Sequence, residues 1–320
     1  MQLPAFTPAL SERREPNGPQ RKPDWLKVKA PGGLNYGRIK ETLKERRLYT
    51  VCEEAHCPNV GECWNGGTAT FMIMGDLCTR GCRFCAVKTA KNGIVLDNEE
   101  PKKVSDSIGI MNLEYVVITS VNRDDLPDGG SRHFARVIQQ ARDDHPDLIV
   151  EVLTPDFMGN CAQAAIVADA NPHVFAHNLE TVRRLTPTVR DPRAAYDQSL
   201  KVLNFVREKY PNIFTKSSLM LGLGEQDDEV LEAMDDLRQA QVSFLTLGQY
   251  LRPSSKHLPV KEYVSPEKFD YFKKWGETFG FEYVASGPLV RSSYKAGEYF
   301  IRTFVRSDSR TLDRTIVRSY

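Results

Sequence analysis

The stretch Thr70–Val87, TFMIMGDLCTRGCRFCAV, carries three cysteines, Cys78, Cys82 and Cys85, at spacing C-x3-C-x2-C directly after an apolar run. Three thiolates on so short a loop can hold three irons of a [4Fe-4S] cube and leave the fourth iron without a protein ligand, open to a small molecule. Structural zinc is the alternative: it wants a fourth Cys or His to close a tetrahedron, and His56 and Cys63 lie upstream. Two features favour iron and sulfur. The residue before Cys85 is the aromatic Phe84, and the loop follows a run that reads as a strand, as a cluster loop at the mouth of a parallel barrel would.

From Thr70 onward the chain alternates. Apolar runs read as strands at FMIM, YVVIT (115–119), LIVEVL (148–153), HVFA (173–176), KSSLML (216–221) and SFLTLG (243–248). Helical patterns lie between them, two of them clear: Tyr196, Leu200, Leu203 and Val206 in one, Val230, Met234 and Leu237 in the other. Short β-branched strands separated by amphipathic helices imply right-handed βαβ units and a parallel sheet. Six units fall short of the eight of a closed barrel. The expected fold is therefore α/β, a partial (β/α)6 TIM-type barrel open on one side and spanning residues 70–280. Residues 1–22, rich in proline and charge, read as a flexible leader. Residues 23–69 read as an N-terminal extension that Trp25 and Leu26 anchor to the core, with a short helix over Asn35–Leu48. Residues 281–320 form a C-terminal extension with one more strand, FEYVAS, and a charged tail from Phe304 to Tyr320.

A second cysteine group, Cys52, Cys57 and Cys63, stands upstream at spacing C-x4-C-x5-C. Six of the seven cysteines thus fall between residues 52 and 85, a crowding that suits metal chemistry in a reducing, cytoplasmic compartment better than a disulfide framework. A zinc site of Cys52, Cys57, Cys63 and His56 stays open on ligand type. Pro58 and Gly61 are expected to keep this stretch out of regular helix. Cys161, outside both groups, reads as a small buried or half-buried residue of a helix.

In parallel barrels chemistry gathers at the carboxyl ends of the strands. Polar residues fall there: SVNRDDLPDGGS after the second strand, Glu151 through TPDF at the third, His177, Asn178 and Glu180 after the fourth, and QYLRPSSKHLPV after the sixth. Singly each could be an ordinary loop residue; together they form a polar rim, and no Ser/His/Asp or Gly-Lys phosphate signature competes with it. Ser120, Asn122, Arg123, Glu151, Asn178 and Arg252 are its candidate cofactor contacts, and no side chain is assigned as an acid or base. With 43 basic and 42 acidic residues the net charge is +1, so nothing suggests nucleic acid or a membrane surface as partner. No run approaches the roughly 18 to 20 apolar residues of a membrane span. The N-terminus lacks a signal-peptide pattern, and Glu12 and Glu15 argue against a transit peptide.

C-x3-C-x2-C with an aromatic before its last cysteine resembles the cluster loop of radical S-adenosylmethionine (SAM) enzymes, in which the open iron chelates SAM and an electron from the cluster cleaves it to a 5'-deoxyadenosyl radical. With C-x4-C-x5-C just upstream and RSSY at 291–294, the chain is similar to the lipoyl synthase family from about Arg21 to Lys295. The matching segments are RKPDWL, both cysteine groups, SVNRDDLPDGGS, VLTPDF, HNLETV, SLMLGLGE, QYLRPS and RSSY. That resemblance leaves little room for zinc. It implies a SAM-cleaving [4Fe-4S] cluster on Cys78, Cys82 and Cys85, and an auxiliary [4Fe-4S] cluster on Cys52, Cys57, Cys63 and Ser293. It implies insertion of two sulfur atoms at C6 and C8 of an octanoyl-lysine, drawn from the auxiliary cluster. The carrier would be the lipoyl domain of a 2-oxoacid dehydrogenase E2 or a glycine cleavage H protein, the electron donor a ferredoxin or flavodoxin, and an iron–sulfur carrier would serve the clusters. A basic surface of Lys27, Lys29, Arg38 and Lys40 is a candidate carrier dock, with a solvated charged face as the alternative. The chain departs from the family pattern at Asn122 (commonly Asp), Ser218 (commonly Gly) and Lys295 (commonly His). Rival readings are another two-cluster radical SAM enzyme and an electron carrier or zinc-stapled scaffold; SAM cleavage separates enzyme from carrier.

Overall fold

The computed structural model describes residues 21–28, 31–54, 57–65 and 69–293. Most of the leader, Lys29, His56, Tyr294, Lys295 and the tail from Phe304 lie outside the described residues.

Helix α1 (Leu34–Arg46) and strand β1 (Tyr49–Thr50) precede two short helices, α2 (Val51–Glu54) and α3 (Val60–Asn65), around the first cysteine group. Strand β2 (Ala69–Ile73) leads into the second group, where β3 (Leu77–Cys78) and β4 (Lys88–Thr89) pair with each other. Then come α4 (Glu100–Met111), β5 (Tyr115–Ser120), α5 (Ser131–Asp144), β6 (Ile149–Leu153) and α6 (Cys161–Asp169). These are followed by β7 (Val174–Ala176), α7 (Thr186–Val189), α8 (Tyr196–Lys209), β8 (Phe214–Leu221) and α9 (Asp227–Gln239). The chain closes on β9 (Phe244–Gln249), α10 (Pro266–Phe279) and β10 (Tyr283–Gly287).

One sheet runs in the order β1-β2-β5-β6-β7-β8-β9-β10, parallel throughout except for β1 at its edge. The edges β1 and β10 do not pair among the described residues, so the barrel stays open as the sequence implies. All six expected strands are present. FEYVAS supplies a seventh parallel one, in register with β9 from Tyr283 opposite Phe244.

The periodicities explain this layering. Strand β9 is buried at every residue, as a strand packed on both faces must be. Helix α5 turns His133, Phe134, Val137, Ile138 and Ala141 inward, one stripe at helical spacing. Ser265 caps α10, Pro266 opens it and Gly280 ends it in the left-handed region. Val116, Ile118, Val150, Val152 and Phe175 join the core shared with the helices, while their alternating neighbours face the concave side.

That concave side holds Tyr115, Val117, Ile149, Val174 and Phe244, with Phe214 stacked on Phe244. Amid these apolar groups stands a buried ion pair. Lys216 Nζ donates to both oxygens of Glu151 at 2.8 and 3.0 Å, and the Tyr115 hydroxyl donates to the same carboxylate. Two sequence expectations are corrected. Trp25 does not anchor the extension, being 43% exposed; Leu26 does. Pro58 stands outside helix as expected, between α2 and α3, but Gly61 lies inside α3, where a Cβ would meet Pro31 Cα at 2.9 Å. Glycine there serves a close approach, not a break in the helix.

Replacing Lys216 by Met strands the Glu151 carboxylate in the barrel and is expected to destabilise the fold by about 3–5 kcal/mol. The Glu151→Gln/Lys216→Met double variant should recover much of that loss, because the unpaired charge is gone. Urea unfolding of the three proteins checks both.

Candidate active site

The carboxyl ends of the strands open on a cavity of about 530 Å³. Cys78, Cys82 and Cys85 line it, and so do Cys52 and Cys57 from the upstream group and Ser292 and Ser293 from the chain end. Three stretches far apart in sequence therefore meet at one mouth. Asn59 Nδ2 donates to Leu289 O at 2.6 Å, tying the upstream group to the C-terminal loop. Gly248 on β9 lets that loop in, since a Cβ there would lie 2.1 Å from Val290 O. Cys63 sits on α3, half-buried against the core, and is not among the cavity's walls.

The downstream cysteine loop is clamped by its neighbours. Arg80 donates to both oxygens of Asp124 at 2.7 and 2.8 Å and to Asp156 at 2.9 Å. Asp191 accepts from Gly81 N–H, the Cys85 carbonyl faces His257 Nε2 at 2.9 Å, and Asn122 O accepts from the Thr79 hydroxyl and N–H. Loops after four different strands thus hold one short segment.

Whether these side chains suit iron–sulfur clusters is decided by the donors around the sulfurs. Cys78 Sγ accepts from Arg80 N–H at 3.4 Å and Cys82 Sγ from Asp191 N–H at 3.3 Å. The main-chain N–H groups of Val87, Asn59 and Thr70 pull the thiols of Cys85, Cys57 and Cys52 down, but less than burial raises them. Burial pushes the thiols of Cys52 and Cys82 up to about 11 and that of Cys85 to about 12, and raises Cys57. These are neutral thiols until a metal displaces the proton, and the N–H groups are already turned toward the charge that displacement creates. Among the described residues no three His, Cys, Asp or Glu side chains stand close enough to hold one metal ion.

Four of the six candidate contacts line the cavity: Ser120, Asn122, Asn178 and Arg252. The Ser120 hydroxyl is buried and without a hydrogen-bond partner. Arg252 is held by the carbonyls of Ser255 and His257. Arg123 and Glu151 do not reach the cavity: Arg123 binds Asp125 at 2.8 Å, and Glu151 is engaged by Lys216 below the strand ends. Both are long polar side chains near a strand end, which sequence cannot distinguish from a rim residue. Ser218 lines the cavity, whereas Lys27, Arg38 and Lys40 are exposed away from it and Lys27 is paired with Asp24.

Other walls were legible only in part. Glu180 sits at φ 72°, accepts from Asn178 Nδ2 at 3.1 Å, and is raised by burial while Arg190 and Asn178 oppose the shift. Arg190 donates to Ser199 Oγ at 2.8 Å, and Ser199 Oγ lies 2.9 Å from His177 Nε2. No spacing marks Arg80 and Asp156, which meet across the barrel, or Arg190, which reaches Ser199 on the helix that follows.

Comparison with known proteins bears on this geometry. Residues 72–237 match the Radical SAM superfamily and residues 9–57 the N-terminal domain of lipoyl synthase of the Radical SAM family. The fold is similar to methylornithine synthase (TM-score 0.52, 11% identity, 82% of this chain and 81% of that one). It is also similar to Streptococcus suis SuiB bound to its precursor peptide (TM-score 0.54, 10% identity, 78% of this chain and about half, 52%, of that one). An open parallel barrel with a three-cysteine loop over its strand ends is the architecture of the radical SAM class, which implies a [4Fe-4S] cluster and SAM. The chain is 60% identical to lipoyl synthase of Anaeromyxobacter sp. (strain Fw109-5) over 282 residues, 88% of this chain and 96% of the relative. It is 53% identical to lipoyl synthase of Thermus thermophilus, over 96% and 95% of the two chains. The chain belongs to the lipoyl synthase family. No helix among the described residues is long and apolar enough to cross a membrane.

Burial, with Arg190 close by, lowers the His177 imidazole to about 4, and burial beside Arg142 lowers His173 likewise to about 4. Unfolded, each ring would titrate near 6.5, so between 6.5 and 4 the unfolded state binds more protons. Stability is therefore expected in full above pH about 6.5 and to fall as pH drops toward 4, by on the order of 3 kcal/mol for His177. Urea midpoints across this range should decline less steeply in His177→Gln, with His173 retaining its share.

Proposed function

We propose that this protein inserts two sulfur atoms at C6 and C8 of an octanoyl chain carried on a lysine of a lipoyl carrier domain. The observation that carries the reading is the meeting of Cys78, Cys82 and Cys85 with Cys52, Cys57 and Ser293 around one cavity. Cys78, Cys82 and Cys85 hold the cluster that binds SAM; Cys52, Cys57, Cys63 and Ser293 hold the auxiliary cluster. When bound, the clusters and SAM supply an electron, a hydrogen-abstracting carbon radical and the sulfur itself.

The chain's own residues do the rest. Unactivated C–H bonds cannot be ionised by any side-chain base, so the protein's work is to position the chain and keep water out. Met220, Tyr250 and Leu251 supply an apolar wall for an alkyl chain. Ser120, Asn122, Asn178, Glu180 and Arg252 are the polar groups available to SAM. A seryl oxygen is a harder ligand for iron than a thiolate, so Ser293 would hold its iron less firmly than the cysteines would hold theirs. The partners are an octanoylated E2 or H-protein domain, an electron donor of the ferredoxin or flavodoxin type and an iron–sulfur carrier, in the cytoplasm.

The deciding experiment is anaerobic turnover of iron-reconstituted protein with SAM, a reductant and an octanoyl-lysyl carrier peptide, read by mass spectrometry. Two hydrogens replaced by two sulfurs, with a monothiolated species first, is the expected result; SAM cleavage without sulfur transfer would overturn the substrate assignment. Cys78→Ala should abolish SAM cleavage, whereas Cys52→Ala should leave SAM cleavage and stop sulfur transfer. Ser120→Ala removes the unpartnered hydroxyl and is expected to weaken SAM binding about two- to tenfold, measured by calorimetry on the loaded protein.

A further inference from the structure

The turn that carries the chain from β2 into the downstream cysteine loop is held by side chains that stand outside the cavity. Met74 and Gly75 both lie in the left-handed region, at φ 67° and 88°. Glycine takes that conformation freely, whereas methionine takes it only where its surroundings impose it. Cys78 follows on β3, so the direction in which the chain leaves this turn decides where the first cysteine of the loop enters the cavity.

Both main-chain groups of Met74 are met by side chains, one acidic and one basic. Its N–H donates to the two carboxylate oxygens of Glu100 at 3.2 and 3.0 Å, and its carbonyl accepts from Arg123 Nη1 at 3.5 Å. Such bonds are stronger than the neutral ones of an ordinary turn. Each side chain is set in turn by a neighbour. His133 Nε2 lies 2.6 Å from Glu100 Oε2, and Arg123 Nε and Nη2 grip the two oxygens of Asp125 at 2.8 and 2.9 Å. Glu100, Arg123 and His133 are all buried. The turn is also packed close: a Cβ on Gly130 would lie 2.3 Å from Met74 Sδ, and one on Gly75 2.4 Å from Ile94 Cδ1. The loop after β5 thus touches the cysteine loop at three points, Asn122 at Thr79, Asp124 at Arg80 and Arg123 at Met74.

We propose that Glu100 and Arg123 are positioning residues for the downstream cluster: by fixing the left-handed Met74 between a carboxylate and a guanidinium, they set Cys78 and the loop behind it before iron arrives. The inference rests on the assignment of Cys78, Cys82 and Cys85 to a cluster that binds SAM.

The test uses the full chain carrying Cys52→Ala, Cys57→Ala and Cys63→Ala, which leaves one cluster. Iron and sulfide per chain, the rate of iron loss to a chelator, the electron paramagnetic resonance g-values of the reduced cluster with SAM, and the urea midpoint are read in this background. Glu100→Leu should lose iron about tenfold faster, the low end for groups that support a metal ligand, with shifted g-values. Glu100→Gln keeps one oxygen for the Met74 N–H and should restore most of both readouts. Arg123→Lys keeps a cation against Asp125 but has no fork to reach Met74 O as well. It should move both readouts the same way as Glu100→Leu, which decides the matter if Glu100→Leu does not fold. Lys216→Met, which loosens the barrel without touching the turn, should lower the urea midpoint and leave iron retention and g-values as they were. Iron retention and g-values unchanged in Glu100→Leu and Arg123→Lys overturn the inference while the cluster assignment stands. Shifts of the same size in Lys216→Met overturn it too, since the effect would then be loss of stability alone. A background chain that loads no [4Fe-4S] cluster overturns the assignment, and the inference with it.

Discussion

Arg80 is the constraint on which the site depends. It lies between Cys78 and Cys82, its side chain 2% exposed, and binds Asp124 after β5 and Asp156 after β6. A guanidinium so desolvated persists only where its donors are matched, and the fork geometry of Arg meets two carboxylates at once. The consequence is mechanical. A loop of small and polar residues, which would otherwise sample many shapes, is pinned to two strand ends, and the cysteines on either side of Arg80 take their places from it.

Two cysteines of the upstream triplet, Cys52 and Cys57, reach the same cavity by a different route. Helices α2 and α3 stand beside the antiparallel edge β1, and the link from Asn59 to Leu289 joins them to the loop that follows β10. An open barrel leaves its two edges free, and here the elements next to both edges lean over the mouth. Closure of the sheet would have removed the opening through which residues from before the first strand and after the last can meet.

Beneath that mouth the barrel is filled, not hollow. Largely apolar side chains from five strands, Val117, Ile149, Val174, Phe214 and Phe244 among them, surround the Glu151–Lys216 pair, whose charges are met by each other and by the Tyr115 hydroxyl. Such a pair contributes little net stability, yet losing one partner is severe. The pair is spent within the barrel, and Glu151 is not among the cavity's walls.

Much of this was legible in the chain itself. Alternation of short apolar runs with helical stripes determined the parallel barrel, because a strand covered on both faces and a helix covered on one have different periods. Local spacing marked out the two cysteine triplets, since the backbone alone brings together side chains on so short a connection. Tertiary structure decided what acts across the barrel: that Arg80 meets Asp156, and that Arg123 and Glu151 turn away from the cavity. It also brought Ser293 to the cavity that cysteines more than 200 residues earlier in the chain line. Those pairings join residues whose separation along the chain carries no period, so only the closing of strand upon strand, which brings the carboxyl ends to one rim, could determine them.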